Sequence, residues 1–150
     1  MKHIAILSDT HGLLREEVRA HLSVADCIIH AGDIDNSLIY HEMERLGEIY
    51  VVRGNNDKNW AENLPESITV TIEGVCFFIV HNKKDVPEDL SNIDVVIYGH
   101  SHKYSQKMID GVLFLNPGSC GKRRFDLELT MCGMTVNAGQ YQFEKISISY

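Results

Sequence analysis

No run of apolar residues in this sequence approaches the roughly 18 that a membrane-spanning helix requires, so no spanning helix is expected. No stretch is rich in proline, glycine and serine, no segment repeats, and only three prolines punctuate the chain, which excludes linkers, low-complexity tails and repeat arrays. The four cysteines (Cys27, Cys76, Cys120, Cys132) form no CxxC pair and no compact framework. They read as free thiols of a reducing compartment rather than a disulfide scaffold or a zinc ribbon. Basic excess is missing too. Lys and Arg number 14 against 21 Asp and Glu, a formal charge of −7, and this disfavours a nucleic-acid partner, whose affinity is carried by basic groups on phosphates.

What is present fits one globular unit. A chain of 150 residues with 44% hydrophobic residues can bury one core and not two, so residues 1–150 are expected to form a single domain. The apolar start, Met1 to Leu7, turns polar at Ser8 and Asp9, too soon for a signal peptide, and the expected location is cytoplasmic, with no membrane partner. Self-association into a homo-oligomer is left open.

Short, nearly continuous apolar runs occur at Ile4 to Leu7, Cys27 to Ile29, Ile49 to Val52, Val75 to Val80 and Val95 to Tyr98, as in strands buried on both faces. Between the first two, Leu14, Val18 and Leu22 recur at i, i+4, i+8, with Glu16 and Glu17 placed to favour a helix N-terminus. Leu38, Ile39, Met43 and Leu46 mark a second helix, opened by Asn36 or Ser37 and closed by Gly47. Strand and helix in alternation imply a parallel sheet. Beyond about residue 103, Asp110-Gly111 and Asn137-Ala138-Gly139 read as turns, and the tail from Phe125 to Tyr150 alternates like strands with one exposed face. The fold class expected is α/β, an α+β sandwich of two packed sheets with helices outside.

The informative feature is what stands after each buried run. The first leads into Ser8-Asp9-Thr10-His11-Gly12, the second into His30-Ala31-Gly32-Asp33, the third into Arg53-Gly54-Asn55-Asn56-Asp57, the fourth into His81-Asn82 and the fifth into Gly99-His100-Ser101-His102. Open α/β sheets bind ligands beyond the carboxyl ends of their strands, so carboxylate, imidazole and amide groups converge there. The pairs Asp9/His11 and His100/His102, spaced i, i+2, would point to one side of an extended backbone. Gly32 and Gly99 would let the chain approach closely. A mixed imidazole, carboxylate and amide set without thiolate suits borderline divalent metals, manganese first, with nickel, zinc, iron or magnesium as alternatives. Two such cations would bring the formal charge from −7 to −3.

Asp9-x-His11, Gly32-Asp33, Gly54-Asn55, His81 and Gly99-His100-x-His102, in that order, resemble the calcineurin-like metallophosphoesterases. The short chain with Asn116-Pro117-Gly118-Ser119 resembles their YfcE-type phosphodiesterase branch. The resemblance spans residues 9 to 119. It implies a four-layer fold of two mixed sheets flanked by helices. It implies further that Asp9, His11, Asp33 and His102 hold one metal ion, that Asp33, Asn55, His81 and His100 hold the other, and that Asp33 bridges them.

Such a pair would supply hydroxide at neutral pH and clamp the phosphoryl oxygens. The function expected is hydrolysis of a phosphodiester in a small phosphorylated substrate by a hydroxide bridging the metals. A phosphomonoesterase and a non-catalytic interaction scaffold of the same fold are the alternatives. Two positions depart from the wider superfamily, which often has His after the ligating Asn, where Asn56 stands, and Gly after the ligand His81, where Asn82 stands. An amide is no general acid, so Asp57, His11 or a metal-bound water would have to protonate the leaving group. His30 reads as a packed or ligand-orienting histidine, and His3 lies outside the set. Arg53, Lys83, Lys84, Arg123 and Arg124 are candidates to meet a phosphate or ordinary solvated charges, and Trp60 either stacks on a substrate or caps the core.

Overall fold

A computed structural model describes residues 1–124 and 126–149; Phe125 and Tyr150, the ends of the tail expected to alternate, lie outside the described residues. The elements run β1 (Lys2–Leu7), α1 (Glu16–Ser23), β2 (Cys27–His30), α2 (Ser37–Leu46), β3 (Glu48–Val51), β4 (Ser67–Ile72), β5 (Val75–Val80), β6 (Val95–Ile97), β7 (Ser105–Ile109), β8 (Val112–Asn116), β9 (Leu129–Asn137) and β10 (Gln140–Ile148). They build two mixed five-stranded sheets, ordered β10-β9-β1-β2-β3 and β4-β5-β6-β8-β7. The fold is α/β, two packed mixed sheets with helices outside.

Side-chain alternation explains the layers. In β1, Ile4 and Ile6 enter the layer between the sheets, where they meet Phe77 and Ile79 of β5 and Leu113 and Leu115 of β8. Ala5 and Leu7 point the other way, under Val18 and Leu22 of α1 and Met43 of α2. The far face of the second sheet carries Val96, Tyr98 and Phe114, covered by Val86, Leu90 and Ile93 of the connection before β6. Each fully buried side chain of this size contributes roughly 1.5–3 kcal/mol. The central layer therefore offsets the cost of burying ionisable groups at one end of it.

Local chemistry sets the boundaries. Asn36 accepts from the Ile39 N–H at 3.0 Å and caps α2. Gly47 follows that helix in extended backbone, φ 169°, rather than as a left-handed cap. α1 begins at Glu16, so Leu14 packs into the core from the preceding loop. Asp110-Gly111 and Ala138-Gly139 each join two strands with both residues at positive φ, and Glu73-Gly74 does the same between β4 and β5.

One expectation about the strands is corrected, and the sheets interleave along the chain. The β9–β10 hairpin returns to pair with β1, and the chain between β3 and β9 forms the second sheet. β9 is buried over most of its length rather than exposed on one face, since it lies between β1 and β10 and packs on both sides. β4, whose Ser67-Ile68-Thr69-Val70-Thr71-Ile72 alternates polar and apolar residues and stands outside the continuous apolar runs, is an edge strand.

Candidate metal centre

β1, β2 and β3 run parallel, as do β5 and β6, and the residues after their carboxyl ends meet. Asp9, His11 and His102 form one group and Asp33, His81 and His100 a second; within each, one potential ligand atom per residue lies within 4.8 Å of the others. Asn55 joins the second group, its Oδ1 lying 3.2 Å from His100 Nδ1.

The route to this convergence differs from the one expected. Asp9, His11, His100 and His102 are not on extended backbone; φ is 54°, 47°, 75° and 65°, and Asp33 at 62° and Asp35 at 79° share the left-handed region. Such residues cost roughly 1–3 kcal/mol each and persist where the surroundings hold them. Here the loop after β1 is fastened to the loop after β2 by Asp9 N–H to Gly32 O (2.9 Å), His11 N–H to Asp33 O (3.0 Å) and Gly12 N–H to Ile34 O (2.8 Å). Close approach is built in as well: a Cβ at Gly54 would overlap the Asp33 carboxylate, and one at Gly99 would overlap Ser8 Oγ and Asp9 Oδ2.

The imidazoles are fixed by their outer nitrogens. His11 Nδ1 donates to Asp35 Oδ2 at 3.0 Å and His81 Nδ1 to Ala31 O at 2.7 Å, so both turn Nε2 inward. His11 Nε2 then lies 3.1 Å from His102 Nε2, 3.5 Å from Asp9 Oδ1 and 3.7 Å from Asp33 Oδ2, while His81 Nε2 lies 3.2 Å from Asp33 Oδ2. Asp9 Oδ1 and His81 Nε2 are buried with no hydrogen-bond donor to meet them. Lone pairs facing one another across such distances are satisfied by protons or by metal ions between them, and the donor set of carboxylates and imidazoles fits divalent cations.

Electrostatics agree. Burial would raise the Asp9 carboxyl, but contact with His11, the His81 charge and the Ser8 hydroxyl outweigh it and hold it below the ordinary carboxylate range. Asp33 is likewise lowered, against its burial, by His81 and the Asn56 N–H. The Asp9 contact raises His11 despite burial, with Asp35 adding to it. Burial opposes but does not prevent a rise at His81, driven by Asp33 and Asp9. His102 is lowered, chiefly by burial, with the charges of His11 and Arg124 adding to it.

Two candidates for proton transfer are placed elsewhere. Asp57 Oδ1 accepts from Ile34 and Asp35 N–H and Oδ2 from Asp33 and Gly54 N–H, all at 2.8–2.9 Å. All four of its lone-pair positions are taken, so Asp57 organises the backbone around Asp33 and has no proton to give. The same saturation makes the acidic trio Asp33, Asp35 and Asp57 a poor third cation site. His11 commits Nδ1 to Asp35 and Nε2 to the cluster, which leaves it no free proton either. Asn56 donates its backbone N–H to Asp33 Oδ1 at 2.8 Å.

His30 is fully buried, accepting from Gly32 N–H and donating to Thr10 Oγ1, both at 3.0 Å; it holds the two loops and touches no ligand atom. His3 meets Thr135 at the outer edge. Trp60 packs with Tyr40 over α2 and caps the core. Residues to which the sequence assigned no role in the site also support it. Asp35 fixes His11, Asn116 Nδ2 donates to Gly99 O at 3.2 Å, and Ser119 Oγ donates to Asp9 O at 2.8 Å. Position two after Asp33, and the Asn-Pro-Gly-Ser segment, were the only signals for them.

Two cavities adjoin the second group. One of about 810 Å³ is lined by Arg53, Glu66, Lys84 and Asp85, and another of about 370 Å³ by Lys83, Tyr98, Lys103 and Tyr104. Arg53 also donates to Asp57 O at 2.9 Å, and Arg123 donates to Leu127 O at 3.4 Å away from both cavities. Among the described residues no helix is long and apolar enough to cross a membrane.

Residues 1–139 match the model of the calcineurin-like phosphoesterase superfamily domain. A phosphodiesterase of Methanocaldococcus jannaschii is 32% identical over 139 residues, 78% of this chain and 83% of its own. The solved structure of an archaeal phosphodiesterase is similar at 27% identity and a TM-score of 0.77, over 97% of this chain and 99% of its own. Wild-type Vps29 of Entamoeba histolytica, solved with zinc, has 20% identity and a TM-score of 0.75 over 97% of this chain and 98% of its own. That last likeness is one of fold alone.

Proposed function

This chain belongs to the calcineurin-like phosphoesterase superfamily, and on that premise we propose that it is a dinuclear metal-dependent phosphodiesterase acting on a small phosphorylated substrate. The observation that carries this reading is the meeting of two candidate ligand groups at Asp33, with buried lone pairs on Asp9 and His81 that no hydrogen-bond donor meets. Asp9, His11, Asp33 and His102 would hold one cation and Asp33, Asn55, His81 and His100 the other, manganese being the first choice. Cations held there would neutralise a phosphoryl group and supply hydroxide at neutral pH.

The chain's own residues do the positioning. Asp33 Oδ2 faces both His81 and His11 and sets the spacing of the two groups, while Asn56 N–H holds its other oxygen. Asp35 and Ala31 O hold the outer nitrogens of His11 and His81 and so turn the inner ones toward the two groups. Neither Asn56 nor the saturated Asp57 can protonate a departing alkoxide, so esters with stable leaving groups are favoured. The ligand set is complete, which favours catalysis over the scaffold role. We further propose that residues 1–150 act as one unit in the cytoplasm.

Hydrolysis of bis(p-nitrophenyl) phosphate and p-nitrophenyl phosphate by chelator-stripped protein restored with manganese, nickel, zinc or magnesium tests this, with Asp33→Asn as control. Metal-dependent turnover of the diester, lost in the control, is expected. A monoester preference would reassign the class, and no turnover by folded protein with any metal would refute the enzyme.

A further inference from the structure

The two cavities beside the second ligand group share Asn82 and His100 as a common wall, so they form one trough crossing the exposed rim of the site. Their charge differs. In the wider cleft Arg53 and Lys84 are matched by Glu66 and Asp85, whereas the smaller cavity is lined by Lys83 and Lys103 and no carboxylate. A purely cationic pocket is not what a chain of formal charge −7 offers by chance, and it opens beside a centre built for phosphate.

Its principal cation is also held in place. Lys83 Nζ stands 5.8 Å from the ring centroids of both Tyr98 and Phe114, two buried aromatics on the outer face of the second sheet. Asn82 arranges this. Its Oδ1 accepts from Lys84 N–H at 3.1 Å and starts the single helical turn of residues 83–85, which sends Lys83 to the smaller cavity and Lys84 to the wider one. The opposite wall is fixed by Ser101 Oγ, which accepts from Asn116 Nδ2 at 3.0 Å and Lys103 N–H at 3.3 Å. An ammonium ordered before the ligand arrives loses less entropy on binding.

We propose that the smaller cavity is a second phosphoryl subsite. It takes a phosphoryl group other than the one being cleaved, through charge-assisted hydrogen bonds from Lys83 and Lys103. The substrate class is then a phosphodiester carrying a further phosphomonoester on one substituent, with the other, polar and uncharged overall, lying in the wider cleft. Both cavities have the size of small-molecule sites, roughly 300–1,000 Å³. This inference rests on the phosphodiesterase reading above.

The test compares thymidine 5′-(p-nitrophenyl phosphate) with the same ester bearing a 3′-phosphate, on manganese-restored protein. The phosphorylated ester is expected to have a kcat/KM about tenfold higher, as two charge-assisted contacts predict. That ratio should fall toward one in Lys83→Met/Lys103→Met and persist in Lys107→Met, which removes a positive charge outside both cavities. Equal kcat/KM for the two esters in the wild type, or a preference that survives the double substitution, overturns the subsite. If neither ester nor bis(p-nitrophenyl) phosphate is hydrolysed, the phosphodiesterase reading fails instead. The subsite is then decided by calorimetric titration of chelator-stripped protein with inorganic pyrophosphate: binding weakened by the double substitution supports it, and binding identical in both proteins overturns it.

Discussion

The two ligand groups are built from the same residue types and differ in their exposure. Asp9, His11 and His102 are 0%, 2% and 7% exposed, and His11 is braced by Asp35. In the other group Asp33 and His81 are buried, but His100 and Asn55 are exposed; both cavities open onto His100 and the wider one onto Asn55. A cation in the first group would be sequestered and slow to exchange, and one in the second would meet solvent and substrate. The contrast separates holding charge from presenting it.

The largest effect should come from the residue common to both. Asp33→Asn is expected to reduce bound metal at both positions and lower kcat/KM beyond the ~10–100-fold of a change in a residue supporting a ligand; metal analysis beside kinetics checks it, and near-normal turnover would end the bridging role. Asp35→Asn should strike the buried group alone, weakening one of two resolved affinities by about 10–100-fold in calorimetry. Equal weakening of both sites, or of neither, would erase the distinction between the groups.

Asn56→His acts at the open side. It is expected to raise kcat toward alkyl esters by about tenfold, the lower range of general acid catalysis, and toward aryl esters hardly at all. Parallel change with both substrates would show that leaving-group protonation is not limiting. The last effect lies beneath both groups and is one of stability rather than turnover. Burial pushes the His30 imidazole from 6.5 down to about 4. Between those values the unfolded chain takes up a proton that the folded chain refuses, so stability is full above 6.5 and is lost as pH falls toward 4. His30→Gln should flatten that acid loss in urea titrations of chelator-stripped protein, and an unchanged pH slope would assign the loss to other groups.

The sequence made legible which residues converge, because ligand types stood directly after buried apolar runs, where α/β sheets gather their chemistry. It did not make the local geometry legible. Asp9 and His11 look like alternating residues of a strand, yet both adopt the left-handed region, and that choice is dictated by hydrogen bonds to Gly32 and Asp33, distant in sequence. Asp57 failed as a candidate acid for a related reason: a carboxylate next to ligands looks reactive until the four N–H groups around it are counted. For the fold, the strands buried on both faces and the Asp-Gly turn were readable from local pattern. The placement of β9 was not, because pairing over such a separation leaves no mark in either segment alone.

That pairing also orders the protein's assembly in time. β1 carries the chain into Asp9, yet its Lys2 faces Val136 of a strand made more than a hundred residues later. During synthesis the first half of the centre must wait with one strand edge bare until that partner emerges. Long-range closure of this kind slows folding, and all seven candidate ligands, the last of them His102, are synthesised before the strand that closes their sheet.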